Sequence, residues 1–290
     1  MSSNAIGLST FTLASPFTNS DGAQFDHVAS LGFDVIEVCL EDPSLISAEW
    51  IAEQAARTNL TVGICGAFGP GRDISSDDST VRDSAHAYLR HCIDVAHVVG
   101  SALVAGPMYA TTGVTRMLDN ADRVAQRARA ADGLRELADY AAERRVGLAI
   151  EPLNRFETDL INTTQQGLEL CDLIGRDNVG LLIDTFHMNI EEKTLGDAVR
   201  AAGNRVFHVQ VSENDRGTPG SGHVPWGEFF TALRDIDYSG QIVIESFLPT
   251  VKEIARAVSL WRPVAPSMRA LAVDGLAFVQ SQLSLDGAHR

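Results

Sequence analysis

Short apolar runs recur along the chain and alternate with longer segments that predict helices. The runs are rich in Val, Ile and Leu, which is typical of strands buried on both faces of a parallel sheet. They occupy residues 5–13, 34–40, 60–69, 101–109, 146–152, 179–185, 206–213 and 241–247. Helices are predicted over 22–32, 47–59, 79–99, 120–145, 163–175, 194–202 and 226–236, with a further helical stretch over 251–283 that is interrupted near Pro263.

This alternation predicts parallel strands joined by right-handed crossovers. Eight strand–helix units favour a closed (β/α)8 TIM barrel over an open sheet. The sequence contains no linker, internal repeat or low-complexity segment. We therefore expect one TIM-barrel domain that spans residues 1–290.

Polar residues lie at the ends of four consecutive predicted strands. They are Glu151, Asp184, Gln210 and Glu245. In residues 146–152 and 241–247 the acid lies on the strand face opposite the large aliphatic side chains, because side chains alternate along a strand. In a parallel barrel that face is the interior, and the C-terminal strand ends form the active-site mouth.

Three carboxylates and one amide oxygen would converge if the barrel closes. Buried carboxylates repel one another and persist when they are paired or bound to a metal. Oxygen ligands favour a hard cation, so Mn²⁺ or Mg²⁺ is expected, with Co²⁺ as a further option. The alternative is that these residues are ordinary strand-end acids that pair with arginine or cap helices.

Composition limits the partners. The formal net charge is −15 and the isoelectric point is about 4.8, which argues against nucleic acid or an anionic membrane. No apolar run approaches the length of a membrane span, and the first residues do not resemble a signal peptide. The cysteines are scattered in apolar runs, so free buried thiols in a reducing cytoplasm are expected.

Long motifs in the second half of the chain resemble a known family. The segments are IEPLNRFETDLINT, LLIDTFHMNIEE, SENDRGTPGSGHVPW and VIESF. They resemble the xylose-isomerase-like barrel superfamily and, within it, the ketose 3-epimerases. The resemblance implies that Glu151, Asp184 and Glu245 bind the metal, that Glu151 and Glu245 also act as acid and base, and that Glu157, His187 and Arg216 hold the sugar. It also implies a homo-oligomer.

One position departs from the family pattern. The third metal ligand is usually histidine, in a segment like HxHxxE, whereas this chain reads HVQVSE and has Gln210 at the ligand position. His208 lies on the same strand face, two residues deeper. A step of two residues moves the donor by roughly 6–7 Å, so an unchanged metal position favours Gln210 as the ligand.

The expected chemistry is removal and return of a proton next to a sugar carbonyl. A metal that binds the carbonyl and a neighbouring hydroxyl acidifies that carbon, and two carboxylates on opposite faces carry the proton through a cis-enediolate. No cluster of Lys and Arg near the mouth indicates a phosphate site, so an unphosphorylated ketose is expected, with epimerisation at C3.

Two other functions fit the same residues. A lyase would eliminate a substituent from a keto-sugar, as in inosose dehydratases or the catalytic subunit of a 3-oxo-C-glycoside deglycosidase, which would bring a second subunit. An inactive barrel would bind a sugar or keto-glycoside without turnover. Additional pocket candidates are Phe11, Phe68 and Tyr109, which follow strand ends and either stack on a sugar ring or belong to the core, together with His208 and His223.

Overall fold

Within residues 4–284, which the computed structural model describes, eight parallel strands close into a barrel in sequence order. The last strand pairs with the first, in the register Gly7 to Val243. The architecture is therefore a single (β/α)8 TIM barrel, as the alternation of runs predicts. The strands are β1 (Ile6–Ser9), β2 (Val35–Leu40), β3 (Thr61–Gly66), β4 (Leu103–Gly106), β5 (Gly147–Ile150), β6 (Val179–Asp184), β7 (Val206–Val211) and β8 (Ile242–Ile244).

Helices connect the strands and pack around them. They are α1 (Gly22–Leu31), α2 (Ala48–Thr58), α3 (Ser79–Val99), α4 (Asn120–Glu143), α5 (Thr164–Ile174), α6 (Thr185–Glu191), α7 (Leu195–Ala202), α8 (Trp226–Asp235), α9 (Lys252–Ala257) and α10 (Met268–Ser284). Short 3-10 turns occupy Thr10–Thr12 and Gly203–Arg205.

Local sequence fixes several helix ends. The Ser47 side chain caps α2 by accepting a hydrogen bond from the backbone N–H of Trp50. Thr163 and Gln166 form a reciprocal capping box at the start of α5. Left-handed glycines, which carry no Cβ penalty there, end α1, α3 and α5 at Gly32, Gly100 and Gly175.

Two elements differ from the prediction. The strand predicted over 5–13 ends at Ser9, whose hydroxyl accepts a hydrogen bond from the Phe11 N–H and begins a 3-10 turn. Helix α6 was not predicted; it begins directly after β6, where the Asp184 carboxylate caps it by accepting from the Phe186 N–H. The helical stretch over 251–283 is interrupted around Pro263 as predicted, and it forms the helices α9 and α10.

The barrel wall is buried on both faces. Every residue of β2 and β6 is buried, which explains why these strands are mostly apolar rather than alternating, with Glu37 and Asp184 as their acidic residues. All four cysteines are buried and free, as predicted. Among the described residues, no helix is both long enough and apolar enough to cross a membrane.

A substitution at Gly180 tests the packing of β6 against the residues at the start of β7. A Cβ at Gly180 would meet the ring of Phe207 and lie 2.6 Å from the backbone oxygen of Arg205. We expect Gly180→Ala to destabilise the fold by about 1–3 kcal/mol through overpacking. Gly227→Ala is the matched control, because a Cβ there has no neighbour within 4 Å and alanine favours the helix. Urea unfolding gives the midpoint of each variant. Equal midpoints for Gly180→Ala and Gly227→Ala would show that Gly180 is not tightly packed.

Candidate active site

The polar strand ends meet inside the barrel mouth. Glu151 directly follows β5, Asp184 is the last residue of β6, and Glu245 directly follows β8. Gln210 lies in β7, in register with Asp184 on the neighbouring strand. All of these side chains are buried. The structure thus brings together the four residues that the sequence analysis proposes as metal ligands.

Arg216 places its guanidinium among these carboxylates. Its Nη1 lies 2.5 Å from Asp184 Oδ2 and 3.3 Å from Glu245 Oε2. The Arg216 residue is itself buried and has a left-handed backbone conformation with φ 64°. Its Cζ lies 4.1 Å from the centre of the Phe186 ring and 5.0 Å from that of Phe247. Both rings attract the cation and restrict it beside the acids.

The positive charge of Arg216 is too small to balance the three carboxylates. Burial raises the pKa of Glu151 well above its ordinary range, and the charges of Glu245 and Asp184 raise it further. Burial also raises the pKa of Asp184, although Arg216 opposes that shift. Burial raises the pKa of Glu245 to about 8, again against the attraction of Arg216. The single guanidinium leaves the acids partly protonated or in need of another cation.

In the side-chain amide of Gln210, the nitrogen is hydrogen-bonded and the oxygen has no partner within the described residues. Its Nε2 donates to Glu37 Oε1 at 2.7 Å and lies 3.4 Å from Glu245 Oε1. Its Oε1 is buried and accepts no hydrogen bond from any residue in the described range 4–284. A buried oxygen without a partner among these residues is a donor available to a cation.

His208 contacts a different residue. Its Nε2 lies 2.6 Å from Glu37 Oε2, and both side chains are fully buried. Glu37 occupies the third position of β2. Sequence reasoning missed Glu37, although an acid inside the otherwise apolar run VIEVCL is itself a signal, because a buried charge requires a partner.

His187 lies next to the carboxylates from the side of α6. Its Nδ1 accepts a hydrogen bond from the backbone N–H of Asn154 at 3.0 Å. Nε2 lies 3.4 Å from Glu151 Oε1 and 2.9 Å from Arg216 Nη2. Burial lowers the pKa of His187 well below its ordinary value, and Arg216 adds to this shift.

His187 also forms part of a possible metal group. The ligand atoms of Glu151, Asp184 and His187 all lie within 4.8 Å of one another. His187 is therefore a further potential donor beside its predicted role in holding the sugar. The neighbouring Glu157 accepts a hydrogen bond from Asn154 Nδ2 at 2.8 Å, which ties it to the same corner of the mouth.

The remaining pocket candidates have different environments. Phe11 is partly buried and packs against a small apolar cluster of Phe247, Val251 and Ile254. Phe68 is buried in the main core, edge-on to Tyr88, and the buried Tyr109 donates its hydroxyl to the backbone oxygen of Ile161 at 3.0 Å. His223 is exposed, with Nε2 3.5 Å from Asn189 Nδ2. Burial raises the pKa of the Tyr109 hydroxyl well above its ordinary value, and the charge of Glu151 adds to this shift, so Tyr109 lies near the acids.

The chain is similar to several characterised proteins. Residues 25–268 match the family described as xylose isomerase-like TIM barrel. The chain is 34% identical to a probable ketose 3-epimerase from Synechocystis sp. over 94% of this chain and 95% of that protein. It is 36% identical to a D-psicose 3-epimerase from Agrobacterium fabrum over 84% and 85%. The structure of a D-allulose 3-epimerase from Methylomonas sp. in complex with D-allulose matches with a TM-score of 0.91 and 29% identity, over 97% of this chain and 98% of that chain.

Glu245 should make the unfolding free energy of the metal-free protein depend on pH. Its pKa is raised from the ordinary 4.5 to about 8, so the folded state binds its proton more tightly than the unfolded chain does. The resulting stability is complete below about pH 4.5 and is lost as the pH rises through about 8. Glu245→Gln keeps a neutral group at every pH and should be insensitive to this loss.

We expect the unfolding free energy of the wild type to fall relative to Glu245→Gln over this range, by on the order of a few kcal/mol. Urea unfolding at a series of pH values in the presence of a chelator measures the difference. Parallel pH curves for the two proteins would show that Glu245 carries no such shift.

Proposed function

The chain belongs to the xylose isomerase-like TIM barrel family, and on this premise we propose that it is a metal-dependent ketose 3-epimerase that acts on an unphosphorylated ketose. The observation that carries the proposal is the buried group of Glu151, Asp184 and Glu245, in which Asp184 and Glu245 contact Arg216, together with Gln210 Oε1, which has no hydrogen-bond partner among residues 4–284. Relatives similar over most of the chain are ketose 3-epimerases, and this supports the same reaction here.

The residues fit a divalent cation. Glu151, Asp184 and Glu245 would hold it together with Gln210 Oε1, the buried oxygen that accepts no hydrogen bond from the described residues. Because every donor in this set is oxygen, Mn²⁺ or Mg²⁺ suits the site better than Zn²⁺. When bound, such a cation neutralises the acids and increases the acidity of the carbon next to the sugar carbonyl.

Glu151 and Glu245 are suited to carry the proton. They follow different strands, β5 and β8, and so approach a substrate in the mouth from different sides. One carboxylate removes the proton from C3, and the C–H electron pair moves toward the carbonyl to give a cis-enediolate. The other carboxyl group then donates a proton to the opposite face of C3. Raised pKa values suit both steps, because a group that titrates near neutral pH both accepts and releases protons.

Three further side chains would orient the sugar. His187 offers its Nε2, Arg216 offers its guanidinium, and Glu157 accepts hydrogen bonds from hydroxyl groups. The rings of Phe186 and Phe247 restrict the Arg216 side chain and provide an apolar surface beside it. Arg216 already contacts Asp184 and Glu245, which leaves no separate cation there for a phosphate group and favours an unphosphorylated substrate.

Proton NMR in D₂O tests the reaction. With Mn²⁺ or Mg²⁺ present, D-allulose or L-ribulose should convert to its C3 epimer, and solvent deuterium should appear at C3. A lyase would instead release a fragment or water from a keto-sugar such as a 3-oxo-glycoside, and a binding protein would leave the deuterium in the solvent. Absence of C3 exchange with every ketose tried would contradict the proposal.

Substitution of Glu151 and Glu245 tests their acid–base roles in the same reaction. Glu151→Gln and Glu245→Gln should each reduce turnover by at least about 100-fold, because each variant loses a proton carrier. Glu41→Gln is the matched control, since Glu41 is a part-buried carboxylate that binds Ser15 and the Phe17 N–H instead of the site. Near-native turnover in either site variant would remove that glutamate from the acid–base role.

A further inference from the structure

A buried network of three side chains lies beneath the carboxylates. Glu37 in β2 receives the amide N–H of Gln210 on Oε1 at 2.7 Å. His208 lies 2.6 Å from the other oxygen, Oε2. All three side chains are buried, and Glu37 is separated from its partners by more than 170 residues of sequence. The network therefore exists only because the barrel closes.

The network fixes which end of the Gln210 amide faces Glu37. An amide group presents a donor at one end and an acceptor at the other, and an ionised carboxylate only accepts. Glu37 therefore binds the nitrogen of Gln210 and repels its oxygen. Rotation of the amide by half a turn would place two oxygens against each other. His208 holds the second oxygen of Glu37, so the carboxylate itself has little freedom to turn away.

The fixed direction leaves Gln210 Oε1 without a partner among residues 4–284. Burial of an acceptor in that state is unfavourable unless a ligand uses the oxygen. Gln210 is in register with Asp184, and its Nε2 is 3.4 Å from Glu245 Oε1, so the amide lies beside two of the acids. A cation is the ligand that both the oxygen and the acids would attract.

We propose that Glu37 is a positioning residue that orients the Gln210 amide so that its oxygen binds the cation. This inference rests on the proposed function, because it assumes that a divalent cation occupies the site. It also accounts for the glutamine: an amide held by its nitrogen supplies one fixed oxygen donor. Glu37 acts through Gln210 and touches neither the substrate nor the cation.

The first test needs no metal. In protein labelled with ¹⁵N in glutamine side chains, the Gln210 NH₂ signals are assigned by their loss in Gln210→Leu. An amide proton that donates a hydrogen bond to a buried carboxylate should have a downfield chemical shift and should exchange slowly with solvent. A Gln210 pair with ordinary shifts and rapid exchange in the wild type would overturn the orienting contact directly, without any variant at Glu37.

The second test is a double-mutant cycle on Mn²⁺ affinity. Glu37→Gln replaces the carboxylate by an amide that binds either end of Gln210, so Mn²⁺ should bind at least about tenfold more weakly. In the Gln210→Leu background, which already lacks the donor, the same change should have a much smaller effect. Calorimetric titration of Mn²⁺ into the four proteins provides the comparison, and thermal unfolding confirms that each is folded.

The cycle separates the two proposals. Glu37→Gln also removes a negative charge, and the loss of charge alone would weaken Mn²⁺ binding by the same factor with or without Gln210. Equal factors in the two backgrounds would therefore overturn the positioning role while leaving the metal site intact. Failure of the wild type to bind Mn²⁺ would overturn the proposed function and, with it, the role of Glu37 toward a cation.

Discussion

The burial of three carboxylates at one end of the barrel is the constraint on which the site depends. Glu151, Asp184 and Glu245 lose their hydration, and their pKa values rise as a result. Arg216 is the positive group in contact with two of them. Because one guanidinium does not balance three ionised acids, the site holds either extra protons or a further cation. Both states fit the proposed function, in which the site binds a metal and the acids transfer protons.

The loop after β7 is built to deliver Arg216 to that position. The fully buried Glu213 accepts hydrogen bonds from Trp226 Nε1 at 2.9 Å and from the backbone N–H of Val224 and Gly220. These bonds fold residues 213–226 back on themselves and keep the left-handed turn at Arg216 in place. The rings of Phe186 and Phe247 then restrict the guanidinium. Charge balance at the site thus depends on a carboxylate that does not belong to it.

The sequence predicts the barrel well because each strand is a separate apolar run and each run is followed by a helical segment. Alternation within the strands also predicts the acids at the mouth, since side-chain direction has a period of two. Helix α6 was missed because it has only seven residues and its cap, Asp184, is also the last residue of β6. Glu37 was missed because no motif surrounds it, and its partners come from the other half of the chain. The burial of Phe68 and Tyr109 depends on contacts with Tyr88 and Ile161, which strand position alone does not specify.

We infer that the acids hold protons which a bound cation would displace. Calorimetric titration of Mn²⁺ at about pH 7 in buffers of different ionisation enthalpy counts those protons. Glu245, with its pKa raised to about 8, is mostly protonated at that pH. We expect release of on the order of one proton for each Mn²⁺ bound by the wild type, and fewer in Glu245→Gln. Binding of Mn²⁺ to the wild type with no proton release would show that the acids hold no such protons.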